Sequence, residues 1–141
     1  MVDVTVDPLS EVPIYQQIRD RVVEAIAAGD LTRGQGLASV RSVSAEFGIN
    51  PATVAKAYEL LRSEGLIATN IRSGSTIARD PASGPPPKVF TEHWRQRLRT
   101  VLAEAHAQGL TAEAILGDCQ AVVGEFSGMT TGGNERCSGS T

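Results

Sequence analysis

The sequence predicts a mainly α-helical chain with one small β-hairpin, divided into a first domain and a separate pair of helices. Three observations indicate this fold class. Apolar residues recur at helical spacing in several stretches, two short strand-like runs flank a Gly-bearing turn, and consecutive prolines separate the two parts. Hydrophobic residues make up 41% of the 141 residues and charged residues 21%, so the chain can bury a core.

The first stretches are an arm and a helix. Residues 1–12 alternate apolar and acidic side chains, which fits a short edge strand or a loosely held arm, and we favour the arm. A helix is expected to begin at Pro13 and to end at Gly29, since Pro suits a helix start and Gly a helix end. The predicted buried face of this helix comprises Ile14, Ile18, Val22, Ala25 and Ile26.

Two further helices are predicted on either side of a short turn. Ser39 is a candidate N-cap for a helix that ends at Phe47, and Asn50 with Pro51 marks the start of the next helix. The apolar positions of that third helix are Val54, Ala57, Tyr58 and Leu61. Because only a short turn with Gly48 joins the two, the pattern predicts a helix-turn-helix.

A β-hairpin is predicted directly after the third helix. Gly65 ends the helix, and the runs 66–70 and 75–78 have the composition of short strands. The residues between them, with Gly74, predict a tight turn at the hairpin tip. A hairpin in this position forms a wing, so the first domain is predicted to be a winged helix-turn-helix.

The second half of the chain is predicted to be a helical hairpin behind a spacer. We place the winged domain at 1–79 and a Pro-rich linker at 80–88, where consecutive prolines favour an extended chain. Residues 89–126 predict two helices whose apolar stripes are too large for the pair to bury alone, which predicts a twofold dimer. The Ser- and Gly-rich tail, 127–141, is expected to be disordered.

Composition narrows the function classes. The net charge of −3 argues against a non-specific polyanion binder, although the segment 33–79 is mildly basic. Cys119 and Cys137 are too few for a zinc site or a disulfide framework, and no nucleophile has a base and an acid at interpretable spacing. We therefore expect neither an enzyme nor a cofactor. Without a signal-peptide pattern or an apolar span, we expect a cytoplasmic chain with no membrane partner.

Four motifs resemble the GntR family of bacterial winged helix-turn-helix transcription regulators, and they look most like its small YtrA-type branch. The motifs are Pro13-Ile14-Tyr15-Gln16-Gln17-Ile18, Leu37-Ala38-Ser39-Val40-Arg41, Asn50-Pro51-Ala52-Thr53-Val54-Ala55-Lys56-Ala57-Tyr58 and Glu64-Gly65-Leu66-Ile67. The sequence departs from the family at three positions. Ala38 replaces a usual Pro, Ser44 replaces a frequent Ala, and Ser73 replaces a frequent wing Arg.

The resemblance implies a function. We expect a homodimeric repressor that binds double-stranded DNA at an inverted-repeat operator, at the bacterial nucleoid when bound. Members of this branch often control their own operon together with transport genes. Dimerisation is expected through residues 89–126. A small-molecule inducer is possible, but the sequence does not identify it. Any inducer is expected to bind at the dimer interface or between the winged domain and the helical hairpin.

The expected DNA contacts fall into two groups. The first group lies on the exposed side of the helix-turn-helix and comprises Arg41, Asn50, Thr53 and Lys56. The second group lies at the wing tip and comprises Arg72, Ser73, Gly74 and Ser75. Arg and Lys can donate to guanine or phosphate, Thr can contact a base edge, and a tip glycine lets backbone N–H groups approach a phosphate.

These residues also have structural interpretations. Capping alone would explain Asn50, a surface ion pair with Glu46 would explain Arg41, and the turn would explain Gly74. The competing function is a dimeric protein-interaction adaptor that has lost DNA binding, which the negative charge and the missing wing Arg favour slightly. A gel shift with the chain's own upstream DNA distinguishes the two functions.

Overall fold

The structure is a computed structural model that describes residues 5–72 and 74–131, with side chains described as far as Phe126. The chain divides into two compact units, which we call the winged unit (Met1–Ser83) and the hairpin unit (Gly84–Thr141). The helices and strands are α1 (Ile14–Ala28), α2 (Val40–Phe47), α3 (Pro51–Ser63), β1 (Ile67–Asn70), β2 (Gly74–Ile77), α4 (Lys88–Ala107) and α5 (Ala112–Thr131). This mainly helical architecture with one two-stranded sheet confirms the predicted fold class.

The ends of α2 and α3 are set by local hydrogen bonds. The Ser39 hydroxyl accepts from the N–H of Ser42 at 3.1 Å, and the Asn50 side-chain oxygen accepts from the N–H of Ala52 at 2.8 Å. Gly48, with a φ of +65°, ends α2 in the left-handed conformation that a glycine adopts without strain. The predicted caps and the short turn between the two helices are confirmed.

The core of the winged unit is centred on α3. Val54, Ala57 and Leu61 are completely buried, and Tyr58 is nearly so, which confirms the predicted apolar stripe. Residues from every neighbouring element pack into the same cluster, including Ile18, Val22, Ile26, Leu31, Val43, Ile49, Ile67 and Ile77. Because one face of α3 is fully buried, the opposite face is held outward in a fixed orientation.

The wing is joined to the segment that leads into α2. β1 and β2 pair antiparallel, with Ile67 opposite Ile77. The N–H of Leu37 donates to the carbonyl of Ser75 at 2.8 Å, and the N–H of Ile77 donates to the carbonyl of Gln35 at 2.9 Å. Segment 34–37 therefore runs antiparallel beside β2, with one isolated bridge between Gly36 and Thr76, which was not predicted from the sequence.

The described part of the N-terminal arm, residues 5–12, forms no strand, as the arm interpretation expects, but it is held in place and is not loose. The buried side chain of Gln17 accepts from the N–H of Asp7 at 2.7 Å and donates to the carbonyls of Asp7 and Val12 at 2.9 and 2.8 Å. A buried amide needs these partners, and the arm backbone supplies them. Residues 1–4 lie outside the described part of the chain.

Two predicted boundaries need correction. Residues 81–83 form a single 3-10 turn, and the Asp80 carboxylate accepts from the N–H of Arg33 at 2.9 Å, so the linker predicted for 80–88 begins inside the winged unit. The hydrogen bonds from Arg33, Ser83 and Ala82 hold the pKa of Asp80 below its usual value.

The second correction concerns the C-terminal tail. Helix α5 continues to Thr131, so the prediction of a disordered tail from residue 127 is wrong for its first residues. Residues 132–141 are not among those described.

The hairpin unit leaves much of its apolar surface exposed. The Thr111 hydroxyl caps α5 by accepting from the N–H of Ala114 at 3.1 Å. No residue of α4 is buried, and its apolar residues Leu98, Leu102 and Ala105 are only half-buried. The large exposed apolar side chains are Val89, Phe90, Trp94, Val101, Leu110, Leu116, Val122 and Val123. Among the described residues, none of the helices has an apolar stretch long enough to span a lipid bilayer.

The hydroxyl of Tyr58 supports a testable prediction. It donates to the carbonyl of Ala38 at 2.6 Å, and burial raises the pKa of Tyr58 to about 12. Replacing Tyr58 by Phe should lower the free energy of unfolding by about 1 kcal/mol at neutral pH, because the carbonyl loses its donor. In the unsubstituted chain, the stability that the neutral phenol contributes is complete below its unfolded pKa of about 10 and is lost as the pH rises through about 12.

Urea unfolding across the alkaline range measures both effects of this substitution. The difference in stability between the two chains should shrink as the pH rises, since only the unsubstituted chain has a buried phenol to ionise. Tyr15→Phe is the matched control, because Tyr15 is only half-buried. A difference that stays constant from neutral to strongly alkaline pH would contradict the prediction.

Candidate DNA-binding surface

The outward face of α3 carries mostly small side chains near the start of the helix. Ala52, Ala55 and Lys56 are exposed, and Thr53 is half-buried beside them. Two alanines on this face allow another surface to come close to the helix backbone, while Thr53 and Lys56 supply polar atoms at its edges. The buried stripe on the opposite side fixes which of these side chains point outward.

Asn50 has both a structural role and unused hydrogen-bonding capacity. Its side-chain oxygen caps α3, and its carbonyl accepts from the N–H groups of Thr53 and Val54 at 3.0 and 3.2 Å. Within the described residues its side-chain NH₂ group makes no hydrogen bond, so these donors stay available at the helix start. The capping interpretation is therefore right, and it leaves room for a contact to another molecule.

Lys56 is positioned by a residue that sequence analysis missed. Its ammonium nitrogen lies 4.1 Å from the centroid of the Tyr15 ring on α1, which is the geometry of a cation–π interaction. The contact directs Lys56 toward α1 and away from the centre of the α3 face. No local pattern could reveal this pair, because the two residues lie far apart in the sequence.

Arg41 is exposed in the first turn of α2. It forms no ion pair with Glu46, although both residues lie on that helix in the described part of the chain. The backbone just before it is fixed on two sides, by the Tyr58 hydroxyl on the carbonyl of Ala38 and by the hydrogen bond from Leu37 to the wing. Arg41 is thus a solvated cation on a well-positioned helix start.

The wing carries one cation, Arg72, in the predicted turn, whereas Gly74, predicted in the same turn, is the first residue of β2 and lies opposite Asn70. Gly74 is exposed and has a φ of +71°, which the turn requires. Arg72 is also exposed, and its N–H donates to the Asn70 side chain at 3.0 Å. Ser75 lies lower in β2 and is half-buried, with its carbonyl held by Leu37. Ser73 lies outside the described residues.

Two further arginines of the winged unit are held by hydrogen bonds. The Arg62 Nε donates to the Thr69 hydroxyl at 2.9 Å, which joins the last turn of α3 to β1. The Arg19 Nε donates to the Glu64 carboxylate at 3.0 Å, and this interaction raises the pKa of Arg19. Arg62 stays exposed near the wing, so it is a candidate contact that sequence analysis left out, whereas Arg19 is structural.

Comparison with known proteins identifies the family. The model of the bacterial regulatory proteins of the gntR family matches residues 14–77. The HTH-type transcriptional repressor YtrA of Bacillus subtilis is 31% identical over 112 residues, which cover 79% of this chain and 85% of that protein. The chain belongs to the GntR family. The predicted resemblance is therefore confirmed, and the chain is a GntR transcription regulator with a DNA-binding domain.

Solved structures extend the likeness along this GntR chain. YtrA from Sulfolobus acidocaldarius, a GntR-family transcription factor, is 33% identical with a TM-score of 0.58, covering 74% of this chain and 97% of that one. A transcriptional antiterminator from Listeria monocytogenes is 29% identical with a TM-score of 0.77, covering 86% and 90%. Because both likenesses reach beyond residue 77, they include part of the hairpin unit as well.

The described residues contain no group of three or more His, Cys, Asp or Glu side chains that could hold a metal ion. The family match spans α1 to β2 and so includes every candidate contact from Arg41 to Ser75. What the surface offers is donors on the helix-turn-helix and at the wing tip.

The cap of α3 can be tested separately from any contact to DNA. Asn50→Ala should lower the free energy of unfolding by about 1 kcal/mol, because the N–H of Ala52 loses its acceptor. Asn50→Asp keeps an acceptor and should preserve stability. Chemical denaturation followed by circular dichroism measures both variants, and equal destabilisation by Ala and Asp would contradict the capping role.

Proposed function

We propose that the protein is a homodimeric repressor that binds an inverted-repeat operator through α3, α2 and the wing. The observation that carries the proposal is the start of α3, where a capped helix end presents small and polar side chains away from a fully buried face. In a helix-turn-helix, the start of the second helix enters the major groove of DNA. The GntR family of the chain supports this use of the surface.

The contacts to bases would come from the centre of the α3 face. The free NH₂ group of Asn50 and the hydroxyl of Thr53 can bond to base edges or phosphates, while Ala52 and Ala55 let the helix approach closely. Thr53 also has a methyl group that can meet a thymine methyl. Sequence readout would thus depend on a few short side chains.

Arg41 and Lys56 would have different roles. Arg41 has no internal partner among the described residues and can bond to a guanine or a phosphate in bidentate fashion. Lys56 is held against Tyr15 at the edge of α3, which favours a phosphate beside the groove over a base at its floor. Arg72 and the backbone of Gly74, with Ser73 and Ser75 beside them, would contact the DNA backbone at the wing.

The exposed apolar side chains of the hairpin unit support pairing through residues 89–126. A helix of the length of α4 with no buried residue has not completed its packing within one chain. A second copy would cover these side chains in a twofold arrangement of helices. Each dimer would then present two α3 helices, suited to half-sites about one helical turn (roughly 34 Å) apart.

Repression would follow from occupancy of a promoter. The Bacillus subtilis relative carries the name of a transcriptional repressor, and this chain covers 85% of it. We extend that mode of action to the present chain, acting on DNA in the bacterial cytoplasm. From the resemblance to the YtrA-type branch, we further propose that its operator lies in its own operon, together with transport genes.

Selection of bound fragments from random DNA tests the proposal directly. The expected product is an inverted repeat, bound by the purified full chain in a complex that weakens as salt rises, because phosphate contacts release counterions. Failure to select any sequence, together with no salt-sensitive gel shift on the chain's own upstream DNA, would overturn the proposal in favour of a protein-interaction adaptor.

Substitution of the two cations refines this test. Arg41→Ala should weaken binding to the selected operator by about 1–3 kcal/mol and relax its sequence preference, if Arg41 reads a base. Lys56→Ala should weaken binding to all DNA sequences by a similar factor. It should also reduce the slope of log affinity against log salt concentration by about one. Arg21→Ala is the control, because Arg21 is paired with Glu24 on α1. Fluorescence anisotropy titrations at several salt concentrations measure these effects.

Dimerisation has its own prediction. Val101→Asp places a charge on the exposed apolar surface of α4, where 57% of Val101 is accessible in the single chain. Sedimentation should show a shift from dimer to monomer, and affinity for the full inverted repeat should fall because two half-sites are no longer held together. Gln96→Glu adds a charge at an exposed polar position of the same helix and should stay dimeric. A dimeric Val101 variant would contradict the assigned interface.

A further inference from the structure

The winged unit contains a cavity of about 260 Å³ beside the second half of α2. Its floor is formed by Ile18 and Val22 of α1, by Leu31 and by Val43 of α2, each at most 5% exposed. An apolar cavity of about 150 Å³ is enough to hold a benzene ring. The cavity therefore has room for a benzene ring with a short substituent.

The polar groups of the cavity define what the substituent should be. The Tyr58 hydroxyl, which lines one wall, is already committed to the carbonyl of Ala38. The Gln35 side-chain oxygen, at the rim, accepts from the N–H of Thr32 at 3.2 Å. Glu46 is an exposed carboxylate of the lining, and within the described residues it makes no hydrogen bond or ion pair. A ligand with a positive charge at this rim would give Glu46 a partner.

We propose that this cavity binds a small aromatic ammonium ion. The ring would lie on the apolar floor, beside the half-buried Phe47, and the ammonium group would pair with the Glu46 carboxylate at the rim. Apolar enclosure supplies affinity, and the charge at the rim selects cations over neutral and anionic molecules of the same shape. The site lies wholly inside the winged unit.

The position of the cavity links it to the DNA-binding surface, a step that rests on the proposed function. Its roof includes Gly36, Leu37 and Ala38, the segment that is hydrogen-bonded to the wing and leads into α2. Because the segment is bonded to β2, a ligand that pushes on it would move the wing and Arg41 together, relative to the outward face of α3. Binding of the ammonium ion would therefore change the affinity for the operator.

The test of the site uses three probes that differ only in the substituent: 2-phenylethylammonium, 2-phenylethanol and phenylacetate. NMR titration of the full chain, labelled at its methyl groups, should give saturable shifts at Val22, Leu31 and Val43. The ammonium ion should bind about fivefold more tightly than the alcohol, as expected for an ion pair at a partly exposed rim. Phenylacetate should bind more weakly than the alcohol.

Two variants test whether Glu46 causes the preference for the ammonium ion. Glu46→Gln should abolish the preference for the ammonium ion over the alcohol, whereas Glu59→Gln, an exposed substitution outside the lining, should retain it. Shifts that do not saturate, shifts confined to α4 and α5, or an undiminished preference in Glu46→Gln would each overturn the proposed site.

The link to DNA is measured separately. Saturating 2-phenylethylammonium should change the affinity for the selected operator at least about fivefold, the lower end of common allosteric couplings, and phenylacetate should not. Ligand binding without a change in operator affinity would overturn the coupling but leave the site. If the chain binds no DNA at all, the proposed function fails, and the NMR titration still decides whether the cavity binds its ligand.

Discussion

Burial of one face of α3 is the constraint on which the winged unit depends. Val54, Ala57 and Leu61 have no accessible surface, so α1, α2 and the wing must all pack around this helix. Removal of that apolar surface from water is the main favourable term in the fold of a small domain. It also holds the capped start of α3 outward, so the same burial that stabilises the domain positions its binding surface.

The wing and α2 behave as one structural piece because of segment 34–37. The hydrogen bonds of this segment to β2 connect the hairpin to the residues just before Ser39, the cap of α2. The Tyr58 hydroxyl adds a hydrogen bond from α3 to the carbonyl of Ala38, the residue that follows this segment. Arg41 and Arg72, which lie on different elements, are therefore held by a shared set of backbone contacts.

Hydrogen bonds between residues close in the sequence were predictable, whereas contacts between residues distant in the sequence were not. Ser39 and Asn50 bond to N–H groups two or three residues away, so composition alone revealed both helix starts. The bonds of Gln17 to the arm and the contact of Lys56 with Tyr15 depend on how the helices pack, which no short pattern records. For the candidate contacts, the sequence indicated that Arg41, Asn50 and Arg72 are exposed. It did not indicate that Thr53 and Ser75 are half-buried, or that Lys56 is turned toward α1.

The exposed apolar surface of the hairpin unit has a consequence for how the regulator responds to its own concentration in the cell. If α4 completes its packing only against a second copy, the fraction of competent regulator depends on how much protein the cell holds. Operator occupancy would then rise more steeply than in proportion to the number of chains, since two must meet before either binds well. A regulator that acts on its own gene would thereby have a built-in threshold, which comes from unpaired apolar surface on a helix remote in sequence from α3.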